Sequence, residues 1–166
     1  MSAARSLLGL LAWIAACFSA GALGSVFTAR AVADWYPQLS KPSWTPPSAV
    51  FGPVWSALYL MMALAAWLVW RSRGFSRATL PLALFAAQLL LNLAWSAIFF
   101  GLRLPGLAFA EILLLWALIL ATLIAFWRVT PLAGCLLLPY LAWVTFAAAL
   151  NFAIWRPNFA IWRLNA

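Results

Sequence analysis

Pro105-Gly106-Leu107-Ala108-Phe109-Ala110-Glu111-Ile112-Leu113-Leu114-Leu115-Trp116-Ala117-Leu118-Ile119-Leu120-Ala121-Thr122-Leu123-Ile124-Ala125-Phe126-Trp127 is bracketed by Arg103 and Arg128 and carries one charge, on Glu111. Crossing the hydrocarbon of a bilayer takes about 20 apolar residues in a helix. The stretch has that length and no period-2 alternation, so it reads as a transmembrane helix rather than a barrel strand. Four further stretches repeat the pattern without any charge: Ser6–Phe27, Gly52–Trp70, Ala78–Gly101 and Pro131–Trp155. The expected fold is therefore all-α, a single domain of five transmembrane helices.

Composition supports this. The chain is 68% hydrophobic and 7% charged, with a mean hydropathy of +1.04. A soluble domain is nearer half apolar and about a quarter charged. The net charge of +8 comes from ten Lys and Arg against two acids. Those cations stand at segment ends, where they meet lipid headgroups, and form no basic face for nucleic acid. The first stretch has signal-peptide features, Arg5 and then Ala20-Gly21-Ala22. Its apolar run continues to Phe27, beyond the 7–15 residues or so of such segments, so it is expected to be a span. Cys17 and Cys135 lie in apolar runs without a motif partner. The chain has no histidine, which removes the commonest metal ligand and the usual haem ligand.

The connections after helices 2, 3 and 4 are short, which makes those neighbours antiparallel. The first connection, about 28–51, is expected to be long. It holds Asp34-Trp35-Tyr36 and Lys41-Pro42-Ser43-Trp44-Thr45-Pro46-Pro47. Proline stiffens it and its aromatics need a surface to cover, which suits a lid or a structural cap. Arg5, Arg71, Arg73, Arg77 and Arg128 fall on one side of the membrane, here the cluster side. Arg30, Lys41, Arg103, Arg156 and Arg163 fall on the other, the loop side. This even tally leaves orientation open under the positive-inside rule.

Intramembrane polar residues lean toward the loop side, and such groups need partners. Gln88, Asn92, Trp95 and Phe99 recur on one helical face. Pro139, Trp143, Ala147 and Asn151 form a second stripe, and Trp55, Tyr59 and Met62 a third. Three stripes of aromatics and amides opening toward one capped end describe a ligand pocket. The amides Gln88, Asn92 and Asn151 serve equally well as helix–helix glue. Trp67, Trp70, Trp127 and Trp155 stand where interfacial anchors do, whereas Trp13 and Trp116 suit lipid or packing. Pro139 is expected to kink helix 5 and free the Cys135 carbonyl. Glu111 is open to three readings: a neutral or hydrogen-bonded acid, a proton-coupling group in a small transporter, or a partner of Arg103 or Arg30. Small residues at Ala16, Ala20 and Gly24, or at Ala83 and Ala87, would let a second helix approach closely, in a homodimer or a hetero-complex. No nucleophilic triad, acid pair, phosphate loop or metal cluster is present, which argues against acid–base or metal catalysis.

Asp34-Trp35-Tyr36, Lys41 to Pro47 and Gly52-Pro53-Val54-Trp55-Ser56-Ala57-Leu58-Tyr59 resemble the signature of the tryptophan-rich sensory proteins, the TspO and translocator-protein family. Gln88, Asn92-Leu93-Ala94-Trp95, Phe99-Phe100-Gly101, Pro139-Tyr140-Leu141-Ala142-Trp143 and Leu150-Asn151 match in order, so the likeness runs from about Trp13 to Asn158. It implies a homodimeric five-helix bundle in the lipid bilayer that binds protoporphyrin, haem, sterols and flat drugs, with tetrapyrrole as ligand and no cofactor. Implied pocket residues are Tyr36, Trp55, Asn92, Trp95, Trp143, Ala147 and Leu150. With Trp44, Tyr59, Gln88, Phe99 and Asn151 they make the candidate ligand contacts. Light-dependent porphyrin degradation, implied for some members, would fall to Trp55 and Trp143. The family's sterol motif is broken by Phe152 in its tyrosine place, which points to a bacterial membrane and tetrapyrroles. Sensor, carrier or regulator of tetrapyrrole metabolism is the expected role, with porphyrin degradation and small-molecule transport as alternatives.

Overall fold

The computed structural model describes residues 2–164, with side chains as far as Asn158. Helix α1 covers Ala3–Asp34, α2 Ser48–Arg77, α3 Thr79–Ser96, α4 Pro105–Trp127 and α5 Pro131–Leu164. Among the described residues, five helices are long and apolar enough to cross a membrane, and none is a strand. Helix α4 has the bounds expected from its flanking arginines.

Helices α1, α2 and α5 run longer than their apolar stretches. A helix ends where its backbone bonds end, not where lipid ends. Past Phe27, α1 continues through Thr28, whose hydroxyl donates to the Gly24 carbonyl at 3.1 Å, and stops where the Trp35 N–H reaches the Ala31 carbonyl. Helix α2 starts at Ser48 behind Pro47. The expected long connection of 28–51 thus shrinks to 35–47, with a 3₁₀ turn at Tyr36–Gln38. At its other end α2 carries Arg71 and Arg73 in helix and breaks at Gly74, whose φ of 68° only glycine adopts readily. Helix α5 passes through Pro139 and Pro157.

Helix α3 closes differently, in a π turn over Ala97–Gly101. The Leu102 N–H bonds back to the Ala97 carbonyl at 2.8 Å. One extra residue in the turn brings both Phe99 and Phe100 toward the bundle interior, where Phe99 is buried.

Helix α4 packs along α5 and α3, α1 lies on α2 and α3, and α2 also meets α5. Lipid is as apolar as leucine, so close packing rather than water exclusion holds such helices together. The cluster-side half is packed solid. Ala63, Ala65 and Ala66 of α2 are wholly buried with Met62, Phe85 and Phe126, and the last two rings stack at 5.7 Å. Gly9 of α1 gives the Trp70 ring its room. Trp70 is therefore buried, not an interfacial anchor, because α2 extends the bundle beyond it. Trp155 likewise packs on Phe109 at 5.8 Å, over Gly106. Trp127 is 44% exposed, as an anchor should be, and Trp13 is a packing residue, edge-on to Phe85.

The connection 35–47 is tied to α5 at Ser40 and braced from within by Lys41. Asn158 of α5 accepts from the Ser40 N–H at 3.1 Å and donates to the Ser40 carbonyl at 3.0 Å. Lys41 Nζ donates to the carbonyls of Tyr36 at 2.7 Å and Leu39 at 3.0 Å, and lies 4.9 Å from the Tyr36 ring centre.

Two outcomes follow from this packing. Gly9→Ala places a methyl inside the Trp70 ring and should lower stability by about 1–3 kcal/mol, measured as thermal unfolding in detergent. Asn158→Ala removes the clamp on Ser40, so hydrogen exchange at that amide should quicken by about tenfold, the equivalent of one lost hydrogen bond, while exchange in α3 stays unchanged.

Candidate functional site: an aromatic cavity under the first connection

The loop-side half of the bundle is hollow. A cavity of about 460 Å³ lies between α1, α2, α3 and α5, beneath Tyr36 and Pro46 of the connection. Its broad walls are rings: Phe51 and Trp55 from α2, Trp95 and Phe99 from α3, Trp143 and Phe146 from α5. They brace one another. Trp55 lies 5.5 Å from Tyr59 at an interplanar angle of 31°, and Trp95 stacks on Phe99 at 5.0 Å and 24°. Trp143 meets Phe51 edge-on at 5.8 Å. The fourth wall is α1, which presents only small or short side chains: Gly21, Gly24, Ser25, Thr28, Ala29 and Val32. Larger residues there would collide. A Cβ on Gly21 would come within 2.5 Å of the Tyr59 ring.

Hydrogen bonds close the floor and one corner. Tyr59 Oη donates to Asn92 Oδ1 at 2.7 Å, and Asn92 Nδ2 donates to Tyr140 Oη at 3.1 Å. This chain joins α2, α3 and α5 at the bottom of the hollow. Nearer the mouth, Trp95 Nε1 donates to Asn151 Oδ1 at 3.1 Å, and Asn151 Nδ2 donates to the Pro105 carbonyl at 2.8 Å. That carbonyl belongs to the first turn of α4, so Asn151 ties α3, α4 and α5. Asn92 and Asn151 thus bond between helices and also line the cavity. No described residue lining it carries a charge. At the roof, burial pushes the Tyr36 phenol above its usual pKa, so it stays neutral well past neutral pH.

Most of the residues singled out from the sequence meet here: Tyr36, Trp55, Tyr59, Asn92, Trp95, Phe99, Trp143, Ala147, Leu150 and Asn151 all line the cavity. Trp44 and Gln88 do not. Trp44 stands 48% exposed, edge-on to Phe146 at 5.7 Å, so it backs a wall from outside. Gln88 is one helical turn below Asn92, under the hydrogen-bonded floor. It is 1% exposed, and neither atom of its carboxamide finds a hydrogen-bond partner. Met62 and Pro139 also lie outside the lining. Glu111 is no partner of Arg103 or Arg30: both its oxygens are enclosed and make no hydrogen bond.

Reading stripes of tryptophan and amide missed the α1 wall, Phe51 and Phe146. The signal was present. Gly21, Gly24, Thr28 and Val32 recur at helical spacing, Phe51 precedes Trp55 by four residues, and Phe146 follows Trp143 by three. Gly24 shares helical spacing with Ala16 and Ala20, a face expected to meet a second helix. The structure turns it inward onto Ser96.

The chemistry on offer is shape and stacking with a few neutral hydrogen-bonding groups. Among the described residues, no group of histidines, cysteines or acids could hold a metal.

The comparisons with known proteins agree with this architecture. The model of the TspO/MBR family matches residues 13–156, which takes in all five helices and the connection over the cavity. The Translocator protein of Homo sapiens is 46% identical over 138 residues, 82% of each chain. The Tryptophan-rich protein TspO of Chlorobaculum tepidum is 42% identical over 158 residues, 93% of this chain and 98% of its own. The Tryptophan-rich sensory protein of Cereibacter sphaeroides is 38% identical over 148 residues, 89% of this chain and 90% of its own. With five membrane-spanning helices enclosing a tryptophan-walled hollow, this multi-pass membrane protein belongs to the TspO/MBR family.

Proposed function

We propose that the cavity binds a tetrapyrrole such as protoporphyrin or haem, or a similarly flat hydrophobic molecule, and that the protein senses, carries or regulates that ligand. The observation that carries this reading is the set of braced rings around an uncharged interior. Small-molecule sites are typically 300–1,000 Å³ or so, mostly apolar, with a few placed polar groups. The hollow meets each condition, with Tyr59, Asn92 and Asn151 as polar groups. Stacking on rigid rings favours a planar ligand, and the small α1 face leaves a slot beside them. Bulky ligand edges bearing carboxylates fit best at the mouth, since the interior offers no cation.

Trp55→Phe with Trp143→Phe trims two walls while leaving the hydrogen-bonded floor intact. Protoporphyrin should quench tryptophan fluorescence of the double variant with an affinity at least about tenfold weaker, with an unchanged unfolding midpoint. An unchanged affinity would place the ligand elsewhere.

One geometric feature favours a second, enzymatic reading. The Trp55 ring sits against Tyr59, which is hydrogen-bonded to Asn92, so an oxidisable indole has an oxidisable phenol behind it inside the cavity. Light-dependent oxidation of bound protoporphyrin, with dissolved dioxygen as the terminal electron acceptor, would use that pair with Trp143. Porphyrin absorbance should then fade under light faster with the wild-type protein than with the double variant at equal occupancy. Equal decay would leave binding alone as the function.

The protein is proposed to work as a homodimer in a bacterial membrane. Ala83 stays outward on α3, with Ala87 half-buried beside it, so that face remains open to a second copy. An Ala83→Cys variant should form a disulfide-linked dimer in native membranes, and failure to crosslink would exclude this face.

A further inference from the structure

The cluster side of the protein carries a second set of contacts, separate from the aromatic cavity and sharing no residue with it. A groove of about 620 Å³ runs between α1 and α2, lined by Ala3, Ser6, Leu7, Leu10, Trp67 and Arg71. Its floor is a fixed platform. Trp67 Nε1 donates to the Ser6 carbonyl at 2.9 Å, which locks the indole across the two helices. The Arg71 guanidinium lies over that ring, 4.5 Å from its centre. A guanidinium resting on an aromatic face keeps its N–H edge free and preoriented for the paired oxygens of a phosphate.

No Asp or Glu side chain of this chain lies near that edge. The chain has two acids. Asp34 ends α1 and Glu111 lies in the second turn of α4, so both belong to the loop-side half. Arg5, Arg71, Arg73, Arg77 and Arg128 therefore stand on the cluster side with no acid among them. Leu7 is 58% exposed beside the groove. In a chain that spans the bilayer, this places a planar cation with no acid partner among the described residues at headgroup depth, above a groove lined by Leu7 and Leu10.

We propose that Trp67, Arg71 and the α1 groove form a binding site for an anionic phospholipid, with the phosphate at the Arg71 edge and an acyl chain along Leu7 and Leu10. The charge asymmetry draws anionic lipid to this side. The stacked guanidinium selects where on the side it settles, because Arg73, two residues on, projects from the far face of α2.

Native mass spectrometry of the full chain in detergent tests this, with phosphatidylglycerol, phosphatidylcholine of the same chains, and inorganic phosphate as probes. Wild-type protein should retain phosphatidylglycerol over phosphatidylcholine. Arg71→Gln should cut that retention by about five- to tenfold, and Arg73→Gln, with the same change in net charge, should leave it near wild type. Inorganic phosphate at millimolar concentration should not displace the lipid. The proposal is overturned by any of four results: undiminished retention in Arg71→Gln, equal loss in Arg73→Gln, phosphatidylcholine held as well as phosphatidylglycerol, or lipid displaced by free phosphate.

Discussion

A carboxamide left unpartnered in hydrocarbon costs several kcal/mol (about 4–8 by water-to-cyclohexane transfer), and the loop-side half of this bundle is organised around two that are not left so. Asn92 accepts a hydrogen bond from Tyr59 and donates one to Tyr140. Asn151 does the same between Trp95 and the Pro105 carbonyl. Each side chain thereby fixes three helices at one depth. Because these links are directional, the helices are held apart as well as together, and the space between them stays open. Apolar packing alone would gain by closing it.

The two halves of the molecule differ accordingly. Toward the cluster side, alanines of α2 and the stacked Phe85 and Phe126 fill the interior. Toward the loop side, large rings stand around a hollow and are kept upright by one another. The roof is fixed by polar contacts: Asn158 reads both backbone groups of Ser40, and Lys41 gathers the carbonyls of the turn before it. Close packing and open space are thus assigned to different ends of the same five helices.

Much of this was legible in the sequence because bilayer thickness and helical rise are strict. Arginines at 103 and 128 flank α4 closely, and the i, i+3, i+7 spacing of Asn92, Trp95 and Phe99 puts them on one face. Charge marks the edge of the lipid but not the end of a helix. Arg30 and Arg71 lie in continuous helix, because a backbone that bonds internally needs no lipid around it. Gln88 shares a stripe with Asn92 but lies a turn too deep, and depth relative to a floor made by three helices is not written in one helix. The α1 wall escaped notice for a related reason. Small residues contribute by what they leave empty, and a sequence displays what is there.

The π turn at Ala97–Gly101 carries a consequence for how this region can vary. It holds one residue more than a regular α-turn needs. Removing any single residue between 97 and 101 would restore uniform winding and leave the span long and greasy enough to insert. Everything upstream would then rotate by about 100° relative to the Phe99–Phe100 end. Trp95 would turn away from Asn151, and the molecule would keep its topology while losing its interior. A surplus residue, commonly taken for an irregularity, here sets the angular phase between α3 and its closing turn.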